Sequence, residues 1–212
     1  MRLIKLILLG FVFWGNAQAQ TVHQQAYWLR LYLRGEVGKN WSWHWELDER
    51  RLIQPDRQLQ FITHLHLRRK LGKWAEVSAG GSHSVVNKLP EWRLFQELHY
   101  GVPLGARLRW TSRLRTEQRC LQQSDGHWRW RLRLRYRAQL GYKISGKWAV
   151  RLSDEVMWHT DDFDQNRLYA AVEWRFSKMF AWEVGYLKLW QKRAEAAYFD
   201  RDIVRSTFYL NF

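Results

Sequence analysis

From Trp128 to Arg137 the chain reads Trp-Arg-Trp-Arg-Leu-Arg-Leu-Arg-Tyr-Arg, and this strict period of two constrains the fold more than any other segment. On a helix these residues would scatter their guanidinium groups around the whole circumference. On a strand they separate. Trp128, Trp130, Leu132, Leu134 and Tyr136 form one apolar face, and Arg129, Arg131, Arg133, Arg135 and Arg137 form the other. One face asks for hydrocarbon and the other for water or counter-ions.

A soluble sandwich also has an apolar and a polar face, so the two ends of the chain carry the decision. Arg2 and Lys5 precede an apolar run from Leu6 to Trp14, followed by the small-residue site Ala17-Gln18-Ala19, which is the layout of a secretory signal peptide. Residues 1–19 are therefore expected to be cleaved, leaving residues 20–212 as one domain. The last segment, Val204 to Phe212, is an alternating strand that closes on an aromatic residue. Its Phe208, Leu210 and Phe212 resemble the C-terminal signal by which the barrel assembly machinery of Gram-negative bacteria recognises its substrates. The expected location is the outer membrane, with its lipid as the first partner.

Mean hydropathy is −0.55, and beyond the leader no apolar run approaches the roughly 20 residues that a spanning helix needs. A membrane crossing would use strands. The single cysteine, Cys120, cannot close an internal disulfide. The formal charge of +15 falls to +13 once Arg2 and Lys5 leave. With 15 tryptophans, such a basic chain would ordinarily suggest a nucleic-acid partner. Export and the confinement of the arginines to one strand face argue against that, so no nucleic acid is expected.

Turn signals recur at Gly38-Lys39-Asn40-Trp41, Gly72-Lys73-Trp74, Gly105-Ala106-Arg107, Gly146-Lys147-Trp148 and Ser177-Lys178, at spacings of 34, 33, 41 and 31 residues. Each period fits two strands, one tight turn and one longer polar loop, the hairpin unit of an outer-membrane barrel. The glycines are expected to supply turn dihedrals, and the tryptophans to mark the membrane–water boundary. Between the turns run outward stripes: Trp41, Trp43, Trp45 and Leu47; Leu59, Phe61, Leu65 and Leu67; Leu108, Trp110 and Leu114; Trp148, Val150 and Leu152; and Leu168, Ala170, Val172, Trp174 and Phe176. Polar connections are expected near Asp48–Arg57, Ser82–Pro90, Leu121–His127, His159–Asn166 and Lys192–Asp202.

The expected architecture is all-β: a transmembrane antiparallel β-barrel of about 10–12 strands, with about 11 strand segments countable, short periplasmic turns and longer external loops. Eleven is an odd number where single-chain bacterial barrels have an even one. Tyr27–Arg34 could lie outside a ten-stranded barrel, pair in parallel with the last strand, or belong to a barrel with one further strand.

Several segments resemble a family of bacterial outer-membrane β-barrels catalogued as a domain of unknown function, number 2490. They are Tyr27-Trp28-Leu29-Arg30-Leu31-Tyr32-Leu33 with its Gly-Lys-X-Trp turn, Phe95-Gln96-Glu97-Leu98-His99-Tyr100, Arg113-Leu114-Arg115-Thr116-Glu117-Gln118-Arg119, and Asn166-Arg167-Leu168-Tyr169. The resemblance spans nearly the whole mature chain. It implies a barrel in the outer membrane and carries no activity or site residues.

Function therefore has to be argued from the interior. The face opposite the apolar stripes carries Arg107, Arg109, Arg113, Arg115 and Arg119 on one strand, and Arg129, Arg131, Arg133, Arg135 and Arg137 on the next. The compensating interior carboxylates are Glu97, Glu117, Glu155 and Glu173, with Glu46 and Glu76. Two roles compete for the ladder. A Glu–Arg lattice would plug the lumen with side chains; surplus arginines would instead bind or pass small anions, because guanidinium forks fit oxyanions and a cationic wall focuses their approach. The expected function is thus a narrow anion-preferring pore or a structural barrel with an arginine-rich lumen.

The alternative from another class is a membrane-embedded lipid or peptide hydrolase. His64 with His66, and Glu97 with His99, share polar strand faces, and a His–Glu pair could orient a general base or two histidines hold a metal. No serine or aspartate stands in a recognisable motif with them, so neither catalysis, a metal nor a cofactor is called for. Trp41, Trp43, Trp74, Trp148 and Trp182 read as girdle residues rather than a sugar-stacking platform. Asp154 interrupts the apolar stripe between Leu152 and Val156, which implies either that the strand has reached the rim or that a bulge shifts its register.

Overall fold

The computed structural model describes residues 20–160, 162–194 and 197–212; the expected leader at residues 1–19 lies outside the described residues. Eleven strands make up the described structure. They are β1 (Gln20–Glu36), β2 (Trp41–Leu52), β3 (Arg57–Lys70), β4 (Ala75–Val86), β5 (Leu89–Pro103), β6 (Leu108–Gln122), β7 (Trp128–Lys143), β8 (Trp148–His159), β9 (Phe163–Arg175), β10 (Phe180–Ala194) and β11 (Ala197–Asn211). Each hydrogen-bonds to its sequence neighbours, and β1 meets β11 to close the barrel.

An odd number of up-and-down strands leaves the first and last pointing the same way. The seam is accordingly parallel, running from Gln20 opposite Ala197 to Arg34 opposite Asn211, while every other pair is antiparallel. Tyr27–Arg34 is thus a wall strand and pairs with the last one.

Alternation decides which face of each strand meets which environment. Along β7 the arginines at 133 and 135 are buried, while Trp130, Leu132, Leu134 and Tyr136 lie open on the outside. Leu65, Leu94, Leu98, Leu114, Leu152 and Val172 are likewise exposed. So continuous an apolar exterior is stable only against lipid. At the turn end the rings of Trp148, Trp174, Phe176, Phe180 and Phe208 stack in succession, with centroids 3.9 to 6.3 Å apart, and Trp182 joins Phe208 at 6.2 Å. Trp41, Trp148 and Trp182 are exposed on the outside, as girdle residues should be.

The turns fall where the repeat puts them, over 37–40, 71–74, 104–107, 144–147 and 176–179. All five close with the same bond, from the N–H of the first residue to the carbonyl four positions on, at 2.9–3.1 Å. Only Gly38 (φ 78°) and Gly105 (φ 140°) use dihedrals that favour glycine; Gly72 and Gly146 do not.

The opposite end departs from expectation in detail. Strands of 12 to 17 residues exceed the roughly 9–11 that a tilted strand needs to cross, so they continue into the segments read as polar connections. Asp48–Arg57 shrinks to a four-residue link at 53–56, and Ser82–Pro90 to a hairpin turn of two residues, Asn87 and Lys88. Their φ values of 50° and 70° give the left-handed pair whose twist matches that of the flanking strands.

Two residues leave their expected positions. Leu59 sits at a register irregularity between β2 and β3 and packs against interior residues rather than lipid, because one extra residue in a strand rotates its neighbours. Asp154 is mid-strand and opposite Ala138 and Leu168. It faces outward with its carboxylate bound by Asn166 Nδ2 at 2.6 Å, and the irregularity in β8 comes later, between Met157 and Trp158. A local amide partner, not a rim or a bulge, accommodates it.

Glycine is required where strands crowd. A Cβ on Gly80 would lie 2.2 Å from the Leu65 carbonyl oxygen and one on Gly185 2.5 Å from that of Ala170, and neither backbone can yield. Inside, Ala26, Trp28, Leu52, Tyr169, Ala171, Leu187, Leu189 and Ile203 form an apolar cluster. It fills the lumen on the β1, β2 and β9–β11 side.

Candidate functional site in the barrel lumen

The other side of the lumen is filled by ions. Glu117 is fully buried and accepts hydrogen bonds from Arg133 Nε at 2.7 Å and Arg135 Nη1 at 2.8 Å; Arg115 Nε is 2.7 Å away. Glu91 holds Arg93 in a fork at 2.8 and 2.6 Å and Arg119 at 2.5 Å. Asp164 binds Arg133 at 3.1 Å, and Asp48 binds Arg30 at 2.8 Å and Arg50 at 2.7 Å. Arg50 also lies 4.1 Å above the Trp28 ring, which joins the ionic half to the apolar one. Burying this many charges is tolerable only because each carboxylate takes several charge-assisted donors.

Toward the turn end the lattice thins into a cavity of about 670 Å³. Ten arginines and Lys178 line it, against Glu46, Glu97, Glu155, Glu173 and Glu183. Glu97 accepts from Ser78 Oγ at 2.8 Å, Arg113 at 3.1 Å and Arg115 at 3.2 Å, and it contacts His99 Nε2 at 2.9 Å. Arg151 bridges Glu173 and Glu183, and Glu183 also accepts from Tyr169 at 2.8 Å and Arg205 at 3.2 Å. The wall keeps a clear cationic excess.

Phe95 separates chamber from lattice. It is buried, with the Arg115 guanidinium 3.8 Å above its ring and His64 and His66 edge-on at 5.8 and 5.6 Å.

Of the ten ladder arginines, Arg113, Arg115, Arg119, Arg133 and Arg135 are bound to carboxylates in the lattice. Arg137 lines the chamber, and Arg131 is half-buried opposite Arg119. Arg107 is a correction: it lies exposed in the turn before β6. Arg109 and Arg129 are exposed, each the second residue of its strand and so at opposite rims of the barrel. A ladder longer than the barrel is tall must run out of lumen at both rims. Of the six glutamates expected inside, Glu97, Glu117, Glu155 and Glu173 are buried, while Glu46 and Glu76 are half-buried.

Sequence reasoning missed Asp48, Glu91, Asp164 and Glu183. Asp48 and Asp164 fall in segments read as polar loops, and Glu91 directly after one, whereas Glu183 was legible as the inward neighbour of Trp182 and Val184. It also missed a chain of groups on β1 and β2: Ser42 Oγ lies 2.8 Å from His44 Nε2, and His44 Nδ1 pairs with the Tyr32 hydroxyl. Ser42 is buried and absent from the chamber wall, so a solute in the chamber does not meet it. His44 and His66 stack 4.8 Å apart, and among the described residues no three His, Cys, Asp or Glu side chains are arranged to hold a metal ion.

An apolar exterior with an aromatic girdle around a charge-filled lumen defines a porin-like transmembrane β-barrel. The chain belongs to the family described as Protein of unknown function (DUF2490), whose sequence model matches residues 25–200. No curated protein matches it. A solved structure described as "NanC porin structure in rhombohedral crystal form" superposes with a TM-score of 0.54 at 12% identity, covering 81% of this chain and 88% of that one. Such a likeness shows the fold alone.

Proposed function

We propose that this is an outer-membrane barrel whose cationic chamber admits small anions from the turn end, and whose opposite half is packed so that at most a narrow path continues through. The observation that carries the reading is the chamber wall, where ten arginines and one lysine face five glutamates. Such an excess raises the local concentration of anions and repels cations. The neighbouring porin fold supports the location, as do the leader expected at residues 1–19 and the closing Phe208, Leu210 and Phe212.

Refolded protein in a planar bilayer under a potassium chloride gradient tests this. The expected current is far below that of an open barrel, with a reversal potential on the chloride side. A large current without anion preference overturns the proposal. The buried Glu117 and Glu91 clusters favour a second reading, a structural barrel sealed by its lattice, and silence from demonstrably inserted protein would select it.

Assembly is tested at the C-terminus. Phe212 contributes one seam bond, its N–H to the Arg34 carbonyl at 2.8 Å, and a stack on Trp43 at 6.3 Å. Deleting it should cost about 1–2 kcal/mol of stability but lower outer-membrane yield several-fold if the residue is a recognition signal. Normal yield of heat-modifiable barrel counts against that role.

A further inference from the structure

The chamber holds one guanidinium that the lattice leaves over. Arg137 faces Arg113 on one side and Glu155 on the other in the strand register. Glu155 is the carboxylate beside it, yet its oxygens are already occupied. Arg113 Nη2 donates to one at 2.5 Å, Arg135 donates to both at 2.9 and 3.0 Å, and Arg167 stands 3.7 Å away. A carboxylate offers about four acceptor sites, so Arg137 is outcompeted, and none of the hydrogen bonds or ion pairs among the described residues reaches it.

Its neighbours on the wall are unpartnered too. Gln139 and Ser153 face each other across β7 and β8, one step nearer the turns. Both line the chamber, and neither makes a side-chain hydrogen bond among the described residues. The next inward position is Gly141, where an added Cβ would meet nothing nearer than 3.9 Å. Gly141 lines, with Gln139 and Arg151, a smaller cavity that adjoins the chamber, so open space lies beside an unpaired guanidinium, an amide and a hydroxyl.

We propose that Arg137, Gln139 and Ser153 form a binding site for a small hydroxylated monocarboxylate. The guanidinium fork takes the carboxylate, the amide and hydroxyl take the adjacent hydroxyl groups, and Gly141 leaves room for the remainder. The set of partners gives the class: phosphate fits the guanidinium fork but carries no chain of hydroxyl groups to reach Gln139 and Ser153, whereas a hydroxylated carboxylate reaches all three. Any solute already carrying hydrogen bonds in water is accepted only where the wall returns them, which distinguishes a hydroxylated ligand from a bare one.

This rests on the chamber reading above and is separable from it. The test is calorimetric titration of the refolded full chain with gluconate, propionate and phosphate, each variant first shown to be folded by its heat-modifiable band. Gluconate should bind saturably, at least tenfold more tightly than propionate or phosphate. Arg137→Gln should weaken gluconate tenfold or more, and because it removes an unpaired cation beside Arg113 it should still fold. Ser153→Ala should weaken gluconate and leave propionate unchanged. Absence of gluconate binding, retention of it in Arg137→Gln, or preference for phosphate overturns the site. An anion-preferring current with no gluconate binding fails this proposal alone; a current without anion preference fails the chamber reading whatever gluconate does.

Discussion

Replacing Glu117 with glutamine is expected to destabilise the folded barrel by about 3–5 kcal/mol, the cost of leaving buried charges uncompensated. Glu117 is fully buried and lies within 2.5–2.8 Å of Arg115, Arg133 and Arg135. The amide keeps the shape but removes the negative charge, and its NH₂ must point at a guanidinium. Three buried cations then repel one another with no carboxylate between them. The measurement is the urea midpoint of the refolded barrel in lipid or detergent. Because the loss is coupled through shared partners, adding Arg133→Gln should recover part of it. An unchanged midpoint in Glu117→Gln would show that the lattice does not hold the lumen together.

Phe95→Ala should lose roughly 3–5 kcal/mol, as expected for truncating a large buried aromatic. Its ring fills the boundary between chamber and lattice, and it also supplies the face on which the Arg115 guanidinium rests at 3.8 Å. Truncation removes that packing and the cation–π contact, worth about 0.5–2 kcal/mol. Phe95→Leu keeps most of the volume and should lose much less. If both variants unfold at the wild-type midpoint, Phe95 is not a packed element of the lumen.

Much of this was legible from parity alone. Once Trp128–Arg137 is a strand with its aromatics in lipid, its arginines must point inward, and the same argument puts Glu97, Glu117, Glu155 and Glu173 inside. The five turns were legible because a barrel of even hairpins repeats its punctuation. The strand ends were not. Past the lipid band both faces of a strand are polar, so alternation fades and Asp48, Glu91 and Asp164 read as loop or loop-edge residues although they belong to lattice-bearing strands.

The sequence by itself determined the strands, the two faces of each and the excess of positive charge within, because a period of two fixes side-chain direction wherever one face meets lipid. Only the tertiary structure decided how those charges pair. The register and packing of the neighbouring strands β5–β9 set which side chains meet, and hence that Glu91, Glu117 and Glu155 gather their arginines while Arg137 is left open to the chamber. Ion pairing inside a barrel is a competition for a limited number of carboxylate oxygens among residues distant in sequence, and no local pattern records which arginine loses.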